Sequence, residues 1–136
     1  MTEQVFADTF YFVALLSPRD ASHDDAVRLA SKLTARLVTT DAVLIELADT
    51  LKSPPDRQRV ARYLRALWRD PDVTVRSLDR DVLDRALELY ESRQDKAWSL
   101  TDCISFVVMQ DGGVRDALTG DIHFEQAGLR ILFARR

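Results

Sequence analysis

Four carboxylates stand where acids are either costly or useful. Asp102 lies in SLTDCISFVVMQDGG (99–113), a segment almost entirely apolar from Leu100 to Met109. A buried carboxylate is costly unless it is hydrogen-bonded, paired with a cation or bound to a metal. On a helical wheel Leu100, Cys103, Ile104, Phe106, Val107 and Val108 cover most of the circumference, the pattern of a buried helix. Asp102 falls between Phe106 and Met109, beside a narrow polar strip of Thr101 and Ser105. Ser99-Leu-Thr-Asp102 also has capping-box spacing, with aspartate in place of the usual Glu or Gln. A cap accounts for an acid in the first turn, but not for one facing a cleft.

Asp8 and Asp121 share a description. Each follows a predicted strand, VFAD (5–8) and VRDALT (114–119), and each suits either the N-cap of the next helix or a ligand at the sheet edge. Glu46 sits on the flank of a predicted helix whose Leu44, Leu47, Ala48 and Leu51 point another way, a place for a solvated glutamate or a site residue. Together the four acids suggest a pocket that a bound cation makes tolerable. Carboxylates without a His or Cys cluster suit Mg²⁺ or Mn²⁺ rather than zinc, and His23 and His123 are not at zinc-ligand spacing. No P-loop, GxGxxG or GxSxG occurs, and Cys103, inside the apolar helix with no base beside it, offers no nucleophile.

The elements that must position these acids alternate between strand and helix. After strand 5–8 comes the helix TFYFVALL, then an amphipathic helix over 20–35 with Ala26, Leu29, Ala30 and Leu33 at i, i+3, i+4, i+7. RLVTT (36–40) is a second strand, followed by a helix over 41–52 with Asp41 as its expected N-cap. Pro54–Pro55 opens a helix carrying Arg57, Arg59, Arg62, Arg65 and Arg69. A strand at 73–78, a helix over 79–93, the buried helix ended by Gly112–Gly113, strand 114–119, a short turn-helix and a strand at 129–134 complete the series. Strands separated by helices imply parallel βαβ units and a three-layer α/β/α sandwich with a mainly parallel central sheet. In such sheets ligands bind outside the carboxyl ends of the strands, where Asp8 and Asp121 fall.

A length of 136 residues with 46% hydrophobic content suits a single domain, 1–136, with one core. No apolar run approaches the roughly 20 residues that span a bilayer. The opening MTEQVFADTFYF lacks a basic leader, so no secretory signal is expected. The lone cysteine excludes an internal disulfide framework and fits a reducing, cytoplasmic setting. A net charge of −3 does not advertise a nucleic-acid binder, yet 16 of the 19 basic residues are arginine, whose planar fork suits phosphate. The 57–69 stripe is therefore either a contact for a polyanion or a solvated helix face with local ion pairs.

At these acids the sequence resembles the PIN domain family, and specifically its VapC-type toxin ribonucleases and their stand-alone relatives. VFADTFYFVALL, TTDAVLIELADTL, DKAWSLTDCISFVVMQ and ALTGDIHFEQAGLRIL carry the likeness, whereas residues 53–92 hold no family signature. The resemblance implies catalytic and metal-binding roles for Asp8, Glu46, Asp102 and Asp121, with Thr9, Ser99, Thr101 and Thr119 flanking the pocket. Asp95 and His123 belong to the local pattern without an assigned role. It further implies an Mg²⁺- or Mn²⁺-dependent endoribonuclease that leaves a 5′-phosphate and a 3′-hydroxyl. A homodimer, an RNA substrate and a small antitoxin partner are expected with it, or alternatively a role in RNA processing without an antitoxin; Arg57, Arg59, Arg62, Arg65 and Arg69 are then the first candidates for the RNA backbone or for the antitoxin. Two readings from other classes stand beside it. A receiver-like phosphoacceptor wants a lysine after a late strand, which Lys32, Lys52 and Lys96 do not supply. A binding module would use the acids only as helix caps.

Overall fold

The computed structural model describes residues 3–133. Five strands, β1 (Gln4–Ala7), β2 (Arg36–Thr40), β3 (Val73–Arg76), β4 (Asp116–Leu118) and β5 (Arg130–Ile131), form one sheet in the order β3-β2-β1-β4-β5, every pairing parallel. Seven helices fill the crossovers: α1 (Thr9–Leu16), α2 (His23–Lys32), α3 (Asp41–Thr50), α4 (Pro54–Arg69), α5 (Arg80–Ser92), α6 (Leu100–Gly112) and α7 (Ile122–Gln126). The three-layer α/β/α architecture expected from the alternation is the one observed.

Strand order explains where a site can form. From β1 the chain steps outward through β2 to β3, then returns by α5 and α6 to place β4 on the other side of β1. The reversal leaves a crevice at the carboxyl ends of β1 and β4, the switch point at which open parallel sheets bind ligands. The two strands pair Phe6 with Ala117 and Ala7 with Leu118, so Asp8 and Thr119 leave the sheet side by side.

The core is built from the apolar faces of both layers. Phe6, Phe12 and Phe124 are fully buried, and Phe124 packs against Phe6 and edge-on against Phe106. Burying one such side chain is worth ~1.5–3 kcal/mol, enough to dock the five-residue α7 that isolated propensity could not hold. Eight consecutive residues of α6, Asp102–Met109, are buried, as its all-round apolar pattern predicts. Gly113 ends α6 in the left-handed conformation (φ 65°), with Val114 N donating to Met109 O.

Local chemistry shifts several expected boundaries. Thr40, not Asp41, caps α3: its buried hydroxyl accepts from Val43 N, while Asp41 begins the helix and accepts from the Trp68 indole. The segment predicted as helix from residue 20 starts at His23, because Asp20 Oδ1 takes Ser22 N in a tight turn. The third and fourth strands contract from 73–78 and 114–119 to β3 and β4. The last strand contracts from 129–134 to two edge residues, and Ala134 lies outside the described residues.

Candidate metal centre

Three of the four predicted acids meet at the switch point. Asp8 follows β1 and is 5% exposed. Its backbone occupies the N-cap position of α1, yet its side chain makes no capping bond. Instead Oδ2 accepts from the Thr119 hydroxyl at 2.9 Å, and that same oxygen of Thr119 accepts from Asp121 N at 3.0 Å. Thr119 is fully buried and so joins the ends of β1 and β4 rigidly. The neighbouring Thr9 hydroxyl is buried without a partner among the described residues. Gly120 allows the turn between them: a Cβ there would stand 2.7 Å from the Phe10 ring.

Asp102 enters from the N-terminus of α6, which runs antiparallel to the strands and so begins at their carboxyl edge. The capping box is complete, Ser99 Oγ accepting from Asp102 N at 3.0 Å and Asp102 Oδ2 accepting from Ser99 N at 3.1 Å. Trp98 braces this turn, lying under the Arg93 guanidinium at 4.9 Å, edge-on to Phe106, with its indole donating to Gln126 at the end of α7. Asp95 sits outside the cluster, paired with Arg93.

Asp121 caps α7, accepting from His123 N at 2.9 Å. His123 is the residue that sequence reasoning left without a role. Its Nδ1 stands 3.1 Å from Asp102 Oδ2 and 3.3 Å from Asp121 Oδ1. One ligand atom from each of Asp102, Asp121 and His123 fits within a 4.8 Å span. The advance signals were its place two residues after Asp121 and its membership of the family's local pattern, since the approach to Asp102 is tertiary.

The electrostatics match a site that wants positive charge. Burial pushes the Asp8 carboxyl up to about 7 from its ordinary 3.8, and the charges of Asp102 and Asp121 add to the rise; the Thr119 hydroxyl and Thr9 backbone oppose it. Asp102 is raised too, first by burial and then by Asp121, against the Ser99 and His123 hydrogen bonds. The donors tie specific oxygens, and among the described residues no hydrogen bond engages Asp102 Oδ1 or Asp121 Oδ2. A cluster with unengaged carboxylate oxygens could hold a divalent metal ion.

The remaining predicted residues divide. Glu46 is half-buried on α3, and among the described residues its carboxylate has no hydrogen bond or ion pair. Thr101 is half-buried, its carbonyl accepting from Ser105. In the arginine stripe, Arg59 binds the Leu16 carbonyl at the end of α1 and Asp56, and Arg57 donates to the Lys52 carbonyl. Arg62, Arg65 and Arg69 are exposed and have no such partner among the described residues. Burial pushes the Cys103 thiol up to about 11, in keeping with the expectation that it is no nucleophile.

A parallel sheet with an acid cluster at this switch point defines a PIN-type fold, and the family model of the PIN domain matches residues 5–129; the chain belongs to that family. It is 30% identical over 124 residues to the 23S rRNA-specific endonuclease VapC20 of Mycobacterium tuberculosis, covering 91% of this chain and 94% of that protein. The crystal structure of that VapC20, described as a sarcin-ricin loop cleaving toxin, superposes with a TM-score of 0.84 at 28% identity, over 92% of this chain and 95% of that one. FitAcB from Neisseria gonorrhoeae shares the fold at a TM-score of 0.68 and 14% identity, over 95% of this chain and 96% of that one. A toxin–antitoxin complex from Klebsiella pneumoniae does so at 0.68 and 16%, with the same coverage.

Proposed function

We propose that the chain is a metal-dependent endoribonuclease, the toxin of a type II toxin–antitoxin pair. The observation that carries this reading is Asp8. Its carboxylate meets the α1 backbone at Thr9 without making a capping bond, and the group is buried, joined through Thr119 to the Asp121 turn and beside Asp102. Asp102 and Asp121 do cap their helices, and that role fixes their orientation without using all their oxygens.

Asp8, Asp102 and Asp121 would hold Mg²⁺ or Mn²⁺, with Glu46 the fourth acid the family resemblance adds. When bound, such an ion lowers the pKa of a water and neutralises charge at a scissile phosphate. The protein's part is preorganisation: the Thr119 hydroxyl and the Ser99 backbone N–H hold the Asp8 and Asp102 carboxylates in place before any substrate arrives. Thr9 and Thr101 complete the proposed pocket rim. The exposed Arg62, Arg65 and Arg69 are the candidates for the RNA backbone, whereas Arg57 and Arg59 hold α4 to its surroundings.

RNA is the proposed substrate, and the relative specific for 23S rRNA makes ribosomal RNA the first to try. The relative described as a toxin supports an antitoxin partner, and Ile45 and Trp68, more than half exposed, offer apolar contact area for it or for a second copy. Among the described residues no helix is long and apolar enough to cross a membrane. The test is cleavage of 23S rRNA and of defined oligomers with Mg²⁺ or Mn²⁺, with and without EDTA. Asp102→Asn is expected to lower the rate by ~100-fold with the fold intact, the upper end of what losing even a hydrogen-bond partner of a metal ligand costs. Cleavage at the parent rate by that variant overturns the assignment.

A further inference from the structure

We propose that His123 is a positioning residue that sets the geometry of Asp102 and Asp121 and thereby the affinity of the metal centre. The inference rests on the metal-site reading above and goes beyond it by giving a role to a side chain outside the acid set. Its basis is the assignment of individual oxygens. His123 Nδ1 donates to Asp102 Oδ2 at 3.1 Å and lies 3.3 Å from Asp121 Oδ1. Both oxygens already accept a backbone N–H, Asp102 Oδ2 from Ser99 and Asp121 Oδ1 from His123 itself. The imidazole therefore gathers the two committed oxygens on one side and leaves Asp102 Oδ1 and Asp121 Oδ2 unengaged.

A single donor placed between two carboxylates also relieves their repulsion, which otherwise drives the side chains apart before an ion arrives. The strut is itself well anchored. Phe124, the next residue, is fully buried between Phe6 and Phe106, and the His123 ring is only 29% exposed. Movement of α7 is further limited by the Trp98–Gln126 hydrogen bond at 3.2 Å. His123 thus reaches from the element after β4 to the element before it, tying both flanks of the crevice.

The experiment separates a strut from a ligand and from a bystander. Asparagine places its Nδ2 two bonds from Cβ, as histidine does Nδ1, so His123→Asn keeps the donor and discards the ring. Mn²⁺ affinity is read by electron paramagnetic resonance of the free ion in the parent, His123→Ala and His123→Asn. Loss of a residue that orients metal ligands costs about 10–100-fold in affinity, the effect expected for His123→Ala. His123→Asn is expected to bind within about threefold of the parent, and pulsed measurements on the Mn²⁺-loaded parent are expected to show no directly bound imidazole nitrogen. Parent-like affinity in His123→Ala, an asparagine variant as weak as alanine, or an imidazole coupling to Mn²⁺ each overturns the proposal. If the parent itself binds no Mn²⁺, the metal-site reading fails, and this inference with it.

Discussion

Replacing Asp8 by asparagine is expected to stabilise the metal-free protein above neutral pH while removing its activity. Asp8 is 5% exposed, and its carboxyl is lifted from 3.8 to about 7 in the folded state. Between those values the folded protein holds a proton that the unfolded chain has released. Stability is therefore greatest below the lower value and falls as pH rises through the upper one. At 1.36 kcal/mol per pKa unit, the whole window corresponds to ~4 kcal/mol, of which ~3 kcal/mol is lost between pH 5 and pH 8. Asp102, raised in the same direction, steepens the slope. In the variant the amide oxygen still accepts the Thr119 hydroxyl, and no charge has to be buried. Urea unfolding in EDTA at pH 5 and pH 8 measures the effect. The parent should lose more stability over that interval than Asp8→Asn by up to ~3 kcal/mol, or ~10 °C or more in Tm at this chain length. Saturating Mn²⁺ should recover much of the loss in the parent, ~2.7 kcal/mol at one hundred times Kd, with a smaller gain in the variant. Equal pH slopes for the two proteins would refute the account of Asp8 as a buried, charge-averse ligand.

Three further outcomes follow from the same geometry. Ser99→Ala removes the acceptor for Asp102 N and should cost ~1 kcal/mol of stability in chemical unfolding, together with a loss of Mn²⁺ affinity as Asp102 gains freedom. Joint charge reversal of Arg62, Arg65 and Arg69 should weaken RNA binding and flatten its dependence on log salt by about 2 if three phosphate contacts are lost. Arg59→Ala should instead lower Tm, because that side chain joins α4 to the end of α1. RNA binding unchanged by the triple reversal returns the exposed arginines to a solvated surface.

Much of the site was legible because its residues carry local signatures. An acid after a β-rich run, followed at once by a helical pattern, marks the carboxyl edge of a strand, and both Asp8 and Asp121 read that way. Ser99 and Asp102 announced their capping box through spacing alone, and the structure completes it. Element ends were less legible, since they depend on which side chain reaches a backbone group first. Thr40 outcompetes Asp41 at the start of α3 because its hydroxyl is held inward at the end of β2, while Asp41 faces Trp68. The arginine stripe looked uniform in sequence. Its members differ only because α4 lies against the end of α1 on one flank and faces solvent on the other.

Sequence by itself determined the alternation of strands and helices, the burial of α6 and the acids that stand at strand ends, because each follows from short-range periodicity and backbone chemistry. Tertiary structure decided which side chains meet. The placement of β4 beside β1 brings Thr119 to Asp8, and the docking of Phe124 brings His123 to Asp102. Those contacts join residues 111 and 21 positions apart, distances over which no local pattern carries information. The same packing sets the raised Asp8 carboxyl, since desolvation belongs to the assembled crevice and not to any segment of the chain.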